Sequence, residues 1–381
     1  MLQSRDSRRR YPELDIIRLL ALSMIPAVHF FMYTGFYESE PSWPGYGAVL
    51  LIRVCLTATL PLFIMLTGYL LCRAGLRPGW WKPLGKTLLI YVLSCIPCYF
   101  FRRAADAEYA PSAAGVFWSV LSFDLNPYSW YIGLYIGLFL LVPFLNRLHE
   151  NLDRKWHGVL VLVLFALISL PSLTNSFLWF SPEFWRHPAS VTEYNRILPD
   201  YWVQLPYALL YYEMGAWLRL HPPKIRARRL FLLLAGLSVL FTGYTAWRQD
   251  GQAFSVFPWV NHSGFVPAVL TPLTFCFLVR AFGSRVRKEK TVRVLAFLSD
   301  LCLGAYLLSY CTDLLIYRIC GFPSPSASFQ ENFVWFPLTA VVNTVLSLFL
   351  SLLITVPAKW ILRRSNGRKS PSEGPGPAAR P

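Results

Sequence analysis

Ten apolar stretches, each about long enough to cross a lipid bilayer, run through this chain, with charge confined almost entirely to the connections between them. They lie near residues 13–33, 53–72, 84–101, 128–146, 157–173, 201–219, 230–247, 263–281, 293–317 and 333–358. The hydrocarbon interior offers no water to backbone N–H and C=O groups, so segments of this kind satisfy them internally, as helices. The pattern predicts an all-α membrane protein, a polytopic bundle of about ten transmembrane helices. Composition agrees: 15% of the 381 residues are charged and 55% hydrophobic, where a soluble domain carries about a quarter charged residues.

The basic residues decide the orientation. One set of alternating connections holds Arg5, Arg8, Arg9 and Arg10; Arg73, Arg77, Lys82 and Lys86; and Arg147, Arg154 and Lys155. It continues with clusters from Arg219 to Arg229 and from Arg285 to Arg293, and with the tail. The opposite set has only Arg102, Arg103, Arg186, Arg196, Arg248 and Arg318, while Arg18, Arg53 and Arg280 fall inside apolar segments or at their edges. Positive charge collects in cytoplasmic loops. Both termini are therefore predicted to be cytoplasmic, in a multi-pass protein of the inner (plasma) membrane. The net charge of +16 then follows from topology, so the lipid bilayer is the expected partner and nucleic acid is not. The first apolar run is too long for a signal peptide and lacks a small-residue cleavage site, so it reads as a retained helix. The expected organisation is a basic N-terminus at 1–12, a membrane domain at 13–358, and a disordered tail at 359–381, ending SNGRKSPSEGPGPAARP.

Arg18 and His29 both lie within that first segment. On a helix, the eleven residues from one to the other return the side chain to within roughly 20° of its starting direction, about 16 Å along the axis. Ionisable groups are expensive in a bilayer and mark function by default. Pro26 cannot donate a backbone hydrogen bond, so a kink just before His29 is expected. Arg18 either pairs with Glu13 or Asp15 or holds a phosphate. His149, His157 and His221 fall in cytoplasmic turns and read as solvated, while His187 and His262 lie on the external side. Arg73, Arg77, Lys82 and Lys86 surround the Pro78–Gly79 turn, either as ordinary loop charge or as a site for an anionic cofactor. No phosphate-binding glycine motif, nucleophile elbow or metal-spaced His/Cys cluster accompanies them, so no metal is expected. The eight cysteines, including the Cys95–Cys98 pair, read as small packing residues. The external aromatics of FLWFSPEFW (177–185) fit either an interfacial belt or a platform for sugar rings.

These residues also carry a resemblance. RYPELDIIRLLALSMIPAVHF, with an Arg, ten residues and a His, resembles the opening of the acyltransferase 3 family of integral membrane O-acyltransferases. LPLFIMLTGYLL (60–71), with Thr67-Gly68-Tyr69, is similar to that family's second-helix motif, and WYIGLYIGLFLLVPFL (130–145) and LGAYLLS (303–309) are similar to two later ones. The resemblance implies a cytoplasmic acyl-CoA donor, acetyl-CoA foremost. It also implies an acceptor hydroxyl on a cell-envelope glycan or lipid-linked saccharide, modified at the external face. His29 is then the expected base or acyl carrier, and Arg18, oriented by Asp15, the donor anchor. Lys82 and Lys86 are further donor-site candidates; Tyr128, Trp130 and Tyr306 are expected to line the acceptor site. The competing expectation is a transporter or exporter on the same scaffold. Two positions depart from the family pattern: Tyr128 and Ser309 stand where many members have histidines. Neither side chain is a good base near neutral pH, which would leave the chemistry to His29.

Overall fold

A computed structural model describes residues 11–191, 193–200, 202, 206–283, 286 and 288–367. Arg5, Arg8, Arg9, Arg10, Arg285, Arg287 and the tail beyond 367 lie outside the described residues. Among the described residues, ten principal helices carry the chain back and forth. They are Pro12–Tyr33 (α1), Tyr46–Leu71 (α2, with a tight turn at Leu56–Ala58), Lys82–Ala105 (α3), Trp130–Glu150 (α4) and Arg154–Ile168 (α5). Tyr207–Leu220 (α6), Ala227–Gln249 (α7), Phe265–Phe282 (α8), Glu289–Asp313 (α9) and Phe336–Gly367 (α10) complete the path. Among the described residues there is no strand. The molecule is an all-α, multi-pass membrane protein.

Nine of these passes, some with flanking turns, are long and apolar enough to cross a membrane. The exception is α6. Its 14 residues reach only about 21 Å, short of a hydrocarbon core roughly 30 Å thick. It lies inside the bundle, with Leu210, Tyr211, Tyr212 and Ala216 fully buried. Two other boundaries differ from the hydropathy reading. The second pass begins at Tyr46 rather than 53, which places Arg53 well inside it. The last helix continues through Gly367, past the expected end at 358; Trp360, Ile361 and Leu362 prolong its apolar pattern, and Arg364 stacks on Trp360 at 3.7 Å. α1 runs through Pro26 without interruption.

Small residues bring the helices together, as they must where lipid removes the hydrophobic drive for association. α9 packs along α10 and α1. Gly304 of α9 faces Ser351 and Thr355 of α10, and the Ser351 hydroxyl donates to the Leu301 carbonyl at 2.8 Å. α2 packs along α6 through a reciprocal pair: Gly68 lies against the Tyr212 backbone, and Gly215 against the Met65 carbonyl. A methyl group at either glycine would collide with backbone, which cannot move aside. Gly68→Ala and Gly215→Ala are each expected to destabilise the protein by about 1–3 kcal/mol, read as a lowered melting temperature in detergent. An unchanged melting temperature would show that the two helices can separate without cost. Most cysteines are buried, among them Cys95, Cys98 and Cys311, in keeping with a packing role.

Candidate active site

Near the end of α1 remote from the basic loops, His29 meets a residue that the sequence reading passed over. Asp313 closes α9 immediately before a wide helical turn at Leu314–Ile319. Such turns recur at functional sites. Its side chain is fully buried, and its Oδ2 lies 2.7 Å from His29 Nδ1. The ring nitrogen approaches off the N–H axis, so the contact is close without being a well-aligned hydrogen bond. Catalytic contacts often tighten only once substrate is bound. A second donor, the Tyr128 hydroxyl, reaches the same Oδ2 at 2.6 Å, and Asn343 Nδ2 donates to Oδ1 at 2.7 Å. Thr312 Oγ1 donates to Asn343 Oδ1 at 2.6 Å, which fixes that amide's orientation. An unpaired carboxylate here would be prohibitively costly. Two hydrogen-bond donors and the close His29 ring hold this buried carboxylate in place.

The Tyr128 ring lies 4.4 Å from that of His29, and a packed aromatic cluster follows in the next two residues of α1. Phe30 and Phe31 are fully buried against Phe333 and Phe336. The imidazole faces a cavity of about 570 Å³ that is also lined by Arg53, Tyr128, Trp130, His262 and Tyr306. Trp130 and His262 stack with centroids 6.2 Å apart. Arg53 donates from Nε to the Tyr37 hydroxyl at 3.1 Å and lies over the Phe254 ring. Among the described residues no carboxylate lies within ion-pair distance of it. Glu38 lines the same cavity outside ion-pair distance, so Arg53 is a buried cation with no direct carboxylate partner among the described residues and can contact an anion there.

Arg18 lines a second, smaller cavity of about 200 Å³, together with Thr67, Tyr131, Tyr135 and Cys302. Leu60 and Tyr306 line both cavities, so the two abut across these side chains. The Tyr306 hydroxyl donates to the Tyr128 carbonyl at 2.6 Å, which fixes the ring at that junction. Arg18 bonds the Ser299 hydroxyl and lies 3.5 Å from Asp15. Lys86, half-buried in α3, stands one residue before Thr87, which lines the same cavity as Arg18.

The structure therefore gathers His29, Tyr128, Trp130 and Tyr306 at one cavity and Arg18 at the other, with Asp15 and Lys86 close to Arg18. Lys82 is left out: it is exposed at the start of α3 and lines neither cavity. Of the two departures from the family pattern, Tyr128 is part of the network, whereas the buried Ser309 hydroxyl turns back to its own helix at the Tyr306 carbonyl. The loop aromatics form a separate cap. Phe184 and Trp259 clasp the buried Arg248, Trp185 stacks on Trp247, and none of the four rings lines the His29 cavity. His149 and His157, read as solvated, are buried instead. Asp313 was open to the rule that singled out His29, an ionisable residue within an apolar segment. Its partnership with His29 was not, because the two lie in the first and ninth helices.

A family model described as an acyltransferase domain matches residues 11–356. No curated protein and no solved structure gives a significant match. The family match spans nearly the whole bundle, from the start of α1 into α10. The chain belongs to the acyltransferase 3 family and is a membrane acyltransferase.

Proposed function

We propose that this protein is an O-acyltransferase of the inner (plasma) membrane. It takes an acyl group, acetyl foremost, from cytoplasmic acyl-CoA and passes it to a hydroxyl of a cell-envelope glycan or lipid-linked saccharide. The observation that carries the reading is the pair of abutting cavities, one ending at Arg18 and the other at the His29–Asp313 pair. Arg18, oriented by Asp15 and with Lys86 nearby, supplies charge for the CoA phosphates at the basic end. The thioester arm then extends past Leu60 and Tyr306 towards His29.

At the outer cavity, Asp313 favours the tautomer with hydrogen on His29 Nδ1, leaving the Nε2 lone pair for the cavity. Nε2 takes the proton of the acceptor hydroxyl as the oxygen attacks the thioester carbonyl. The C–S bond breaks, the proton passes from His29 to the departing thiolate, and an ester and free CoA remain. In a two-step variant, Nε2 itself attacks the thioester carbonyl and the C–S bond breaks to release CoA thiolate; the acceptor hydroxyl then takes the acyl group from Nε2, and its proton passes to the thiolate. The stacked Trp130–His262 pair offers a flat face to a sugar ring, and Arg53 suits an anionic group on the acceptor.

The test is acyl transfer by purified protein in lipid nanodiscs with labelled acetyl-CoA and envelope-derived acceptors. Losing a charge-assisted phosphate contact costs about 1.5–3 kcal/mol. Arg18→Ala is accordingly expected to raise the donor KM by roughly 10- to 100-fold. Arg53→Ala is expected to spare the donor KM and weaken acceptor use. If neither variant changes acyl transfer, and in sealed proteoliposomes acceptors cross the membrane unmodified at the same rate in wild type and both variants, the exporter reading replaces this one.

A further inference from the structure

At the basic end of the bundle lies a second polar cluster, which acyl transfer does not use. His149 on the last turn of α4, His157 on the first turn of α5 and Glu213 of α6 converge there, each no more than 2% exposed. His149 Nδ1 lies 3.3 Å and His157 Nε2 3.0 Å from the same Glu213 Oε2. The ligand atoms of all three residues stand within 4.8 Å of one another.

Tautomer chemistry makes the cluster demand a positive charge. His149 Nε2 lies 3.0 Å from the Cys72 carbonyl, which can only accept, so Nε2 carries a hydrogen. In the neutral ring, Nδ1 then points a lone pair at a carboxylate oxygen. The two acceptors repel unless a cation sits between them. A proton would serve for that one contact, but the arrangement reaches further. A third donor atom, His157 Nε2, converges on the same point. With bonds of about 2.0–2.2 Å around a tetrahedral zinc ion, neighbouring ligand atoms stand roughly 3.3–3.5 Å apart, close to the two separations seen. Glu213 Oε1 and His157 Nδ1 are buried without a hydrogen-bond partner, which leaves the carboxylate a second oxygen to offer. The His149 contact to a carbonyl is the outer-shell bond that orients a metal-bound imidazole.

We infer that His149, His157 and Glu213 bind one divalent transition-metal ion, with zinc the best match to two imidazoles and a carboxylate. Magnesium and calcium prefer oxygen shells. The ion would clamp three helices together. Through His149 it would also fix the end of α2, where Asn146 Nδ2 donates to the Leu71 and Ala74 carbonyls at 2.7 and 2.8 Å. The basic turn leading to Lys82 and Lys86 starts there.

The test is elemental analysis of protein purified with a tag that contains no histidine. About one transition-metal ion per chain is expected in wild type and its loss in Glu213→Gln. A membrane-compatible chelator is expected to lower the wild-type melting temperature by several degrees, with zinc restoring it. This arm needs no variant to fold. Wild type holding less than about 0.1 ion per chain after equilibration with buffered zinc would leave a proton as the cation and overturn the inference. So would full occupancy in a monodisperse Glu213→Gln. Neither readout depends on the proposed transferase activity.

Discussion

His29→Ala is expected to lower the turnover of acyl transfer by about 10²–10⁴, the range that a positioned general base contributes. The donor KM should change little, because Arg18 lies at the far cavity. The side chain removed is only 9% exposed and faces a pre-existing cavity, so the bundle should fold without it. Measuring kcat and donor KM separately in nanodiscs checks this, and a variant with wild-type turnover would remove His29 from the chemistry. The same preparation separates the two mechanisms. With labelled acetyl-CoA and no acceptor, an acyl-histidine intermediate leaves about one label per chain on wild type and none on the variant. A general base leaves neither labelled.

Asp313→Asn is expected to cost nearly as much, about 10²–10⁴ in turnover with donor KM again unchanged, since the carboxylate acts through His29. Asparagine nearly keeps the shape but supplies only one acceptor oxygen. Asn343 Nδ2 already donates to Oδ1, so the new amide would turn its own oxygen to that side and its NH2 towards His29 and Tyr128. The imidazole would then have to accept at Nδ1 and carry its hydrogen on Nε2, where it cannot act as a base. A role confined to stability would instead reduce the amount of folded protein and leave the kcat of what remains intact. Turnover per folded molecule, measured after size-exclusion chromatography, decides between them. Tyr128 donates to the same oxygen as the His29 contact, which gives the tyrosine at this family position a physical part in the site. Ser309, bonded to its own helix, has no comparable part.

The small-residue motif Thr67-Gly68-Tyr69 shows how structural and functional signals can share a stretch of sequence. Gly68 is needed where α2 and α6 meet backbone to backbone. Thr67, one residue earlier, lines the Arg18 cavity. Tyr69 supports Arg219, whose guanidinium lies 5.1 Å from its ring. One turn of helix thus serves packing, cavity and a half-buried cation.

Hydropathy was enough to mark nine of the ten helices as long and apolar enough to cross a membrane, because crossing a bilayer is a property of each segment taken separately. For the same reason Arg18 and His29 stood out: the cost of an ionisable group in hydrocarbon is local and visible in a single stretch. The length of α6 was not legible, since its burial comes from the helices around it and not from its own composition. Nor was any pairing between helices. Asp313 reaches His29, Arg53 faces the same cavity, and His149, His157 and Glu213 meet at the opposite end only once distant segments have packed. Sequence alone set which residues would be costly in the membrane. The tertiary structure decided which of them share that cost, because a buried charge is stabilised by whatever group its neighbouring helix presents.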